Sequence, residues 1–222
     1  PYKYNSFPVN AGLQIWRLTR TLEEALARAH AEGRLAHMPP VTAFQSLVDS
    51  TVTAADLVRR LFARLPANGH ELVVFDLNRN RVLSSLIASG PTKEFDALVA
   101  APALPFRLAI VGSASERTRD VDLRVREAGT RDAVAMPTGL AWPENVFSLG
   151  HLAVPMPADD PMYGLEPRHA PDGLAIPLGR GAPLGEAGAL TIGLGQLARI
   201  RSNPFFPVIV ERIDAAVRAD TK

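Results

Sequence analysis

The chain has 222 residues, of which 47% are hydrophobic and 21% charged, a balance that gives one large globular domain enough apolar surface for a core. Its formal charge of +1, with the signs interspersed, provides no basic face for nucleic acid or an anionic membrane. The absence of cysteine excludes disulfides, thiolate metal sites and cysteine nucleophiles without fixing the compartment, and no apolar run approaches the roughly 18 residues of a membrane-spanning helix.

In chain order, the sequence opens on Pro1 without an initiator methionine, so the true amino terminus is expected upstream. Residues 1–10 read as an aromatic, irregular arm. Thr21-Leu-Glu-Glu24 is a capping box, and Leu22, Ala25, Leu26 and Ala29 recur at helical spacing until Gly33, predicting a helix over 21–32. Met38-Pro-Pro40 breaks the chain before an apolar, β-prone run, Val41 to Val48, that stops on Asp49.

Thr53-Ala-Ala-Asp56 is a second capping box, followed by an apolar stripe of Leu57, Val58, Leu61, Phe62 and Leu65 that ends at Pro66. Asn68-Gly69 turns the chain into Glu71-Leu-Val-Val-Phe-Asp76, a buried strand, so strand, helix and strand form a βαβ unit of a parallel sheet. Beyond Leu77 the pattern loosens. Phe106–Val111 and Val121–Val125 predict two more strands, the second alternating apolar and charged as an edge or half-exposed strand does. Val154 to Pro183 is dense in proline and glycine and reads as loop. Asn203-Pro204 caps a final helix with Phe205, Phe206, Ile209, Ile213, Ala216 and Val217 on one face.

A carboxylate at the carboxyl end of a parallel strand lies where open α/β sheets hold their ligands. Acyl-transfer chemistry needs a base active near neutral pH and a carboxylate that fixes the base's tautomer. Asp49, and His151 in a later loop, are of the right types and order for that pair; equally, Asp49 reads as an Asx-turn or helix cap, and His151 as a surface or packed histidine.

The segments Phe147-Ser-Leu-Gly-His151-Leu-Ala-Val-Pro-Met-Pro157-Ala-Asp-Asp-Pro-Met-Tyr-Gly164 and Gln45-Ser-Leu-Val-Asp49-Ser-Thr-Val52 resemble the histidine and acid segments of the α/β-hydrolase superfamily. The nearest subgroup is the lysophospholipase-like or serine-aminopeptidase-like bacterial hydrolases, whose acid often stands in an Asp-Xaa-Thr-Val stretch. The resemblance covers residues 38–80 and 145–164, and Arg199 to Pro207 more loosely. It implies that Asp49 is the acid and His151 the base of a catalytic triad in a hydrolase of ester, thioester or small amide bonds, with a small acyl substrate and neither cofactor nor metal.

Two departures qualify it. No glycine is followed two positions later by serine, so the Gly-Xaa-Ser-Xaa-Gly nucleophile elbow is absent. About 100 residues separate Asp49 from His151, where the family places only a helix and a strand.

The expected architecture is therefore α/β: the carboxyl-terminal part of a doubly wound, mostly parallel sheet of α/β-hydrolase type. Its core would be 38–80 and 145–222, with a β-containing insertion at about 81–144 between the last core strand and the histidine loop. The serine is expected upstream, and this chain alone is expected to be inactive; a module that has lost its nucleophile and serves only in interaction is the alternative. The open sheet edge should meet the preceding half of the same protein or a second copy, and localisation stays open, with the cytoplasm favoured.

Lesser candidates are Ser148, which lacks the first glycine of an elbow, and Asp76, the runner-up acid or a turn residue. Asp159-Asp160 reads as a turn before Pro161. Gly179–Gly185 and Gly193–Gly195 lack a phosphate loop's lysine, and His30, His37, His70 and His169 show no metal-ligand spacing.

Overall fold

A computed structural model describes residues 9–49, 51–76, 90–143, 157–161, 164 and 203–220. The first helix, α1, spans Val9–Ala31 and so begins well before the capping box that was expected to start it. Thr21 and Glu24 lie in its interior, where Glu24 instead pairs with Arg20 at 3.3 Å and Arg20 covers the Trp16 ring at 5.5 Å. Its end is as expected: Gly33 takes φ 68°, and its N–H returns to His30 O at 3.1 Å. Only the last turns of α1 reach the core, through Leu26 and Ala29.

The sheet consists of β1 (Thr42–Ser46), β2 (Glu71–Asp76), β3 (Arg107–Ser113), β4 (Asp120–Arg126) and β5 (Ala133–Ala141), hydrogen-bonded in sequence order. β1, β2 and β3 run parallel, in register through Phe44, Val73 and Ala109, while β4 and β5 follow antiparallel. The crossovers carry α2 (Ala54–Arg60) and α3 (Gly90–Val99). All six residues of β2 are buried, as a central strand covered on both faces requires.

Side-chain alternation sorts the core into two layers. Leu72, Val74 and Leu108 point toward α2 and α3, meeting Val58, Phe62 and Phe95. Val73, Phe75, Ala109, Val111 and Leu123 point to the other face, where Trp142, Phe205 and the first turn of α4 (Phe206–Asp220) cover them. The molecule is thus an α/β protein with helices on both faces of a mixed, open sheet. Because the strand order is consecutive, both crossover helices lie on one face. No helix among the described residues is long and apolar enough to cross a membrane.

The stretch expected as an insertion supplies much of this sheet. β3 continues β2 through six registered pairs, so 107–141 extends the core sheet itself. α3 opens on Gly90-Pro91 and is secured by buried Phe95, and β5 contains Pro137 and Gly139, which break the strand pattern; a proline is tolerated there because β5 is an edge strand among the described strands. Arg126, only 8% exposed, joins the pieces by donating to Val99 O, Ala101 O and Thr130 O. The expected final helix is confirmed, but Ile213 and Val217 are exposed and Phe205, Val208 and Ile209 alone are buried.

At the amino end of the sheet, His70 is fully buried and its Nδ1 accepts the Val41 N–H at 2.9 Å, which puts the ring proton on Nε2. Burial holds the imidazole below its usual 6.5. As pH falls through about 6.5 the unfolded chain therefore takes up a proton that the native state refuses, and stability declines until the lower native value is passed. The slope for one such proton approaches about 1.4 kcal/mol per pH unit. His70→Asn keeps a side-chain acceptor for Val41 and should remove this component, giving a flatter denaturation midpoint between about pH 7 and 5. Identical slopes in the two proteins would show that His70 titrates as it does in the unfolded chain.

Candidate active site

The three parallel strands end together at Ser46, Asp76 and Ser113, and the loop leaving β1 lies at that edge. Asp49 is half-buried and follows a turn in which its own N–H reaches Ser46 O at 3.3 Å. Its Oδ1 accepts the backbone N–H of Thr51 at 2.7 Å and of Val52 at 3.1 Å. Those bonds are the Asx-turn the sequence allowed, and they also fix the carboxylate at the strand end. α2 starts immediately afterwards: Thr53 Oγ1 accepts Asp56 N–H at 3.0 Å, the N-cap half of the expected capping box, while the Asp56 carboxylate accepts the Thr53 hydroxyl at 2.9 Å. The Thr53 hydroxyl, and after it Arg60, hold the Asp56 carboxyl below its ordinary range.

Asp76, the runner-up acid, ends β2 and is buried. It pairs in register with Gly112, where a Cβ would lie 2.9 Å from Asp76 O, so the strands approach there as only glycine permits. Asp76, Ser113, Ser115, Glu116 and Arg124 line a hollow of about 230 Å³ at the same end of the sheet, with Arg124 Nη2 donating to Ser113 O at 2.6 Å. Of this set the sequence singles out Asp76 alone, because the members come from β2, β3, the turn after it and β4 and share no motif. A larger hollow of about 520 Å³ lies beside Trp16, but its Arg20 and Arg60 are already paired with Glu24 and Glu23.

His151 and Ser148 lie outside the described residues, as do His169 and the glycine-rich stretches at 179–185 and 193–195. The segment that follows His151 re-enters at Pro157, which forms a parallel bridge with Asn203 at the start of α4. Asp159-Asp160 is the turn expected: Asp160 N–H reaches Pro157 O, and Gly164 N–H reaches Asp160 O. His30 bonds Arg64 O through Nδ1, and no cluster of three or more histidines and carboxylates among the described residues could hold a metal ion. No family model, curated protein or solved structure matches the chain.

Proposed function

We propose that this chain carries the acid and base of an α/β-hydrolase-type serine hydrolase acting on ester, thioester or small amide bonds. Asp49 would orient His151, and the serine would come from sequence upstream of Pro1. The observation that supports the reading best is Asp49 itself: a carboxylate just past a parallel strand, held by two backbone amides, in a stretch that reads Asp-Ser-Thr-Val. In such a triad the serine attacks the acyl carbonyl as His151 removes its proton, and Asp49 fixes the imidazole tautomer and offsets the imidazolium charge. His151 then protonates the leaving group, and water releases the acyl enzyme by the same steps in reverse roles.

β1 has a strand neighbour on one side only among the described strands. Its other edge is the natural place for the preceding half of the same protein, or for a second copy joined by strand addition. The competing reading, a nucleophile-free interaction module, draws on the same Asx-turn, which has a structural use without any catalysis. The two separate in one experiment on the full-length protein. A fluorophosphonate probe should label a serine amino-terminal to Pro1, within a Gly-Xaa-Ser-Xaa-Gly elbow. A folded full-length protein that takes no label, or a complete reading frame without the elbow, would leave only the module.

A further inference from the structure

Gln45 is the polar exception in β1. It is 7% exposed, pairs in register with Val74 of the buried central strand, and stands where an apolar side chain would ordinarily be chosen. A buried carboxamide is tolerated only when its hydrogen bonds are satisfied, and here one donor bond goes to the last residue of β1 and the other to the loop that follows it. Nε2 donates to Ser46 O at 3.0 Å and to Val52 O at 2.8 Å.

Those acceptors bracket Asp49, one three residues before it and the other three residues after. Ser46 O also receives the Asp49 N–H, and Val52, whose carbonyl Gln45 holds, gives its own N–H to Asp49 Oδ1 at 3.1 Å. Val52 is therefore gripped from both sides, by Gln45 through its carbonyl and by Asp49 through its amide. One side chain thus ties the end of β1 to Val52, with Asp49 between them in sequence. No other residue type supplies two donors at this reach without charge: glutamate would set a carboxylate against two carbonyls, and methionine would leave both carbonyls without these bonds.

We infer that Gln45 is a positioning residue for the proposed hydrolase reaction, holding the β1–α2 loop so that the Asp49 carboxylate keeps the orientation its base requires. The inference rests on the assignment of Asp49 as the acid. Displacing a catalytic carboxylate by an ångström or so costs on the order of 10²-fold in rate, and a misplaced carboxylate also stabilises the imidazolium less.

In the full-length enzyme, Gln45→Met should lower kcat about 10- to 100-fold with KM changed less than about twofold. The acid limb of its kcat/KM profile should move to lower pH, because the base loses part of its anionic partner; a merely structural role would not move that limb. If Gln45 acts through Asp49, adding Gln45→Met to Asp49→Asn should cost less than about twofold more, a non-additivity that marks coupled residues. Should Gln45→Met fail to fold, Gln45→Asn, with the carboxamide one methylene short, serves in the same cycle. If Asp49→Asn abolishes activity while the Gln45 variant keeps the parental kcat and acid limb, or adds its full effect in the Asp49→Asn background, the role given to Gln45 is wrong and the acid assignment stands. If Asp49→Asn is itself fully active, the acid assignment falls, and the role of Gln45 with it.

Discussion

Asp49→Asn in the full-length protein is expected to lower kcat about 10⁴-fold while leaving the fold and thermal midpoint nearly unchanged. The two halves of that expectation have separate causes. An asparagine Oδ1 still accepts the Thr51 and Val52 amides, so the Asx-turn and the start of α2 survive. What disappears is the negative charge and, with it, the fixed tautomer and the stabilised imidazolium that the proposed base needs. Asp49→Ala is the useful contrast: it removes the charge and both hydrogen bonds, and should add a stability loss of about 1–2 kcal/mol to the same loss of rate. His151→Ala should be at least as damaging as Asp49→Asn, and the double variant little worse than His151→Ala alone, since residues acting as a unit are strongly non-additive. Parental kcat in Asp49→Asn would make Asp49 a turn residue and nothing more.

The parts of the fold that could be read ahead are those fixed by local periodicity. β1, α2 and β2 follow from an apolar run, a capping box and a second apolar run, and the interior of β2, Leu72 to Phe75, is uninterruptedly apolar because it is buried on both faces. The start of α1 misled because a capping box states what could cap a helix, and nothing between Val9 and Thr21 forces the chain to stop being helical. β5 was invisible for the opposite reason. Its Ala-Val-Ala-Met-Pro-Thr-Gly-Leu-Ala sequence has no alternation, and the strand exists through its pairing with β4 and bonds such as Thr138 Oγ1 to Val121 O at 2.6 Å. At the candidate site, Asp49 was legible as a strand-end carboxylate. The function of Gln45 was not, although a polar residue inside an apolar run is the signal that could have pointed to it. Its partners are defined only once the loop has folded back over the strand.

Phe205→Ala should be the most damaging single truncation on the α4 side of the sheet, costing about 3–5 kcal/mol in the full-length protein. Phe205 is fully buried between two aromatic neighbours, with Trp142 stacked at 5.8 Å and 10° and Phe75 at 6.1 Å and 29°. Truncation removes the burial of a whole ring, leaves a cavity lined by rigid neighbours, and ends both stacking contacts. The sequence places Phe205, Ile213 and Val217 on one helical face, yet Ile213 is 48% exposed and Val217 61%, so α4 docks by its first turn and by Arg212, which reaches Glu71 of β2 at 3.6 Å, while Ile213 and Val217 face away from the sheet. Ile213→Ala should accordingly cost less than about 1 kcal/mol, a difference that helical periodicity alone would not suggest. The anchoring also reaches the segment after His151: Asn203 Oδ1 accepts the Phe205 N–H at 2.9 Å, and Asn203 is the residue bridged to Pro157. Loosening Phe205 thus loosens the seat of that segment as well as the helix. Urea midpoints for the two variants test the asymmetry. Equal losses would mean that the far end of α4 is buried against something in the full-length protein, and a loss below about 1 kcal/mol for Phe205→Ala would contradict the packing of this face.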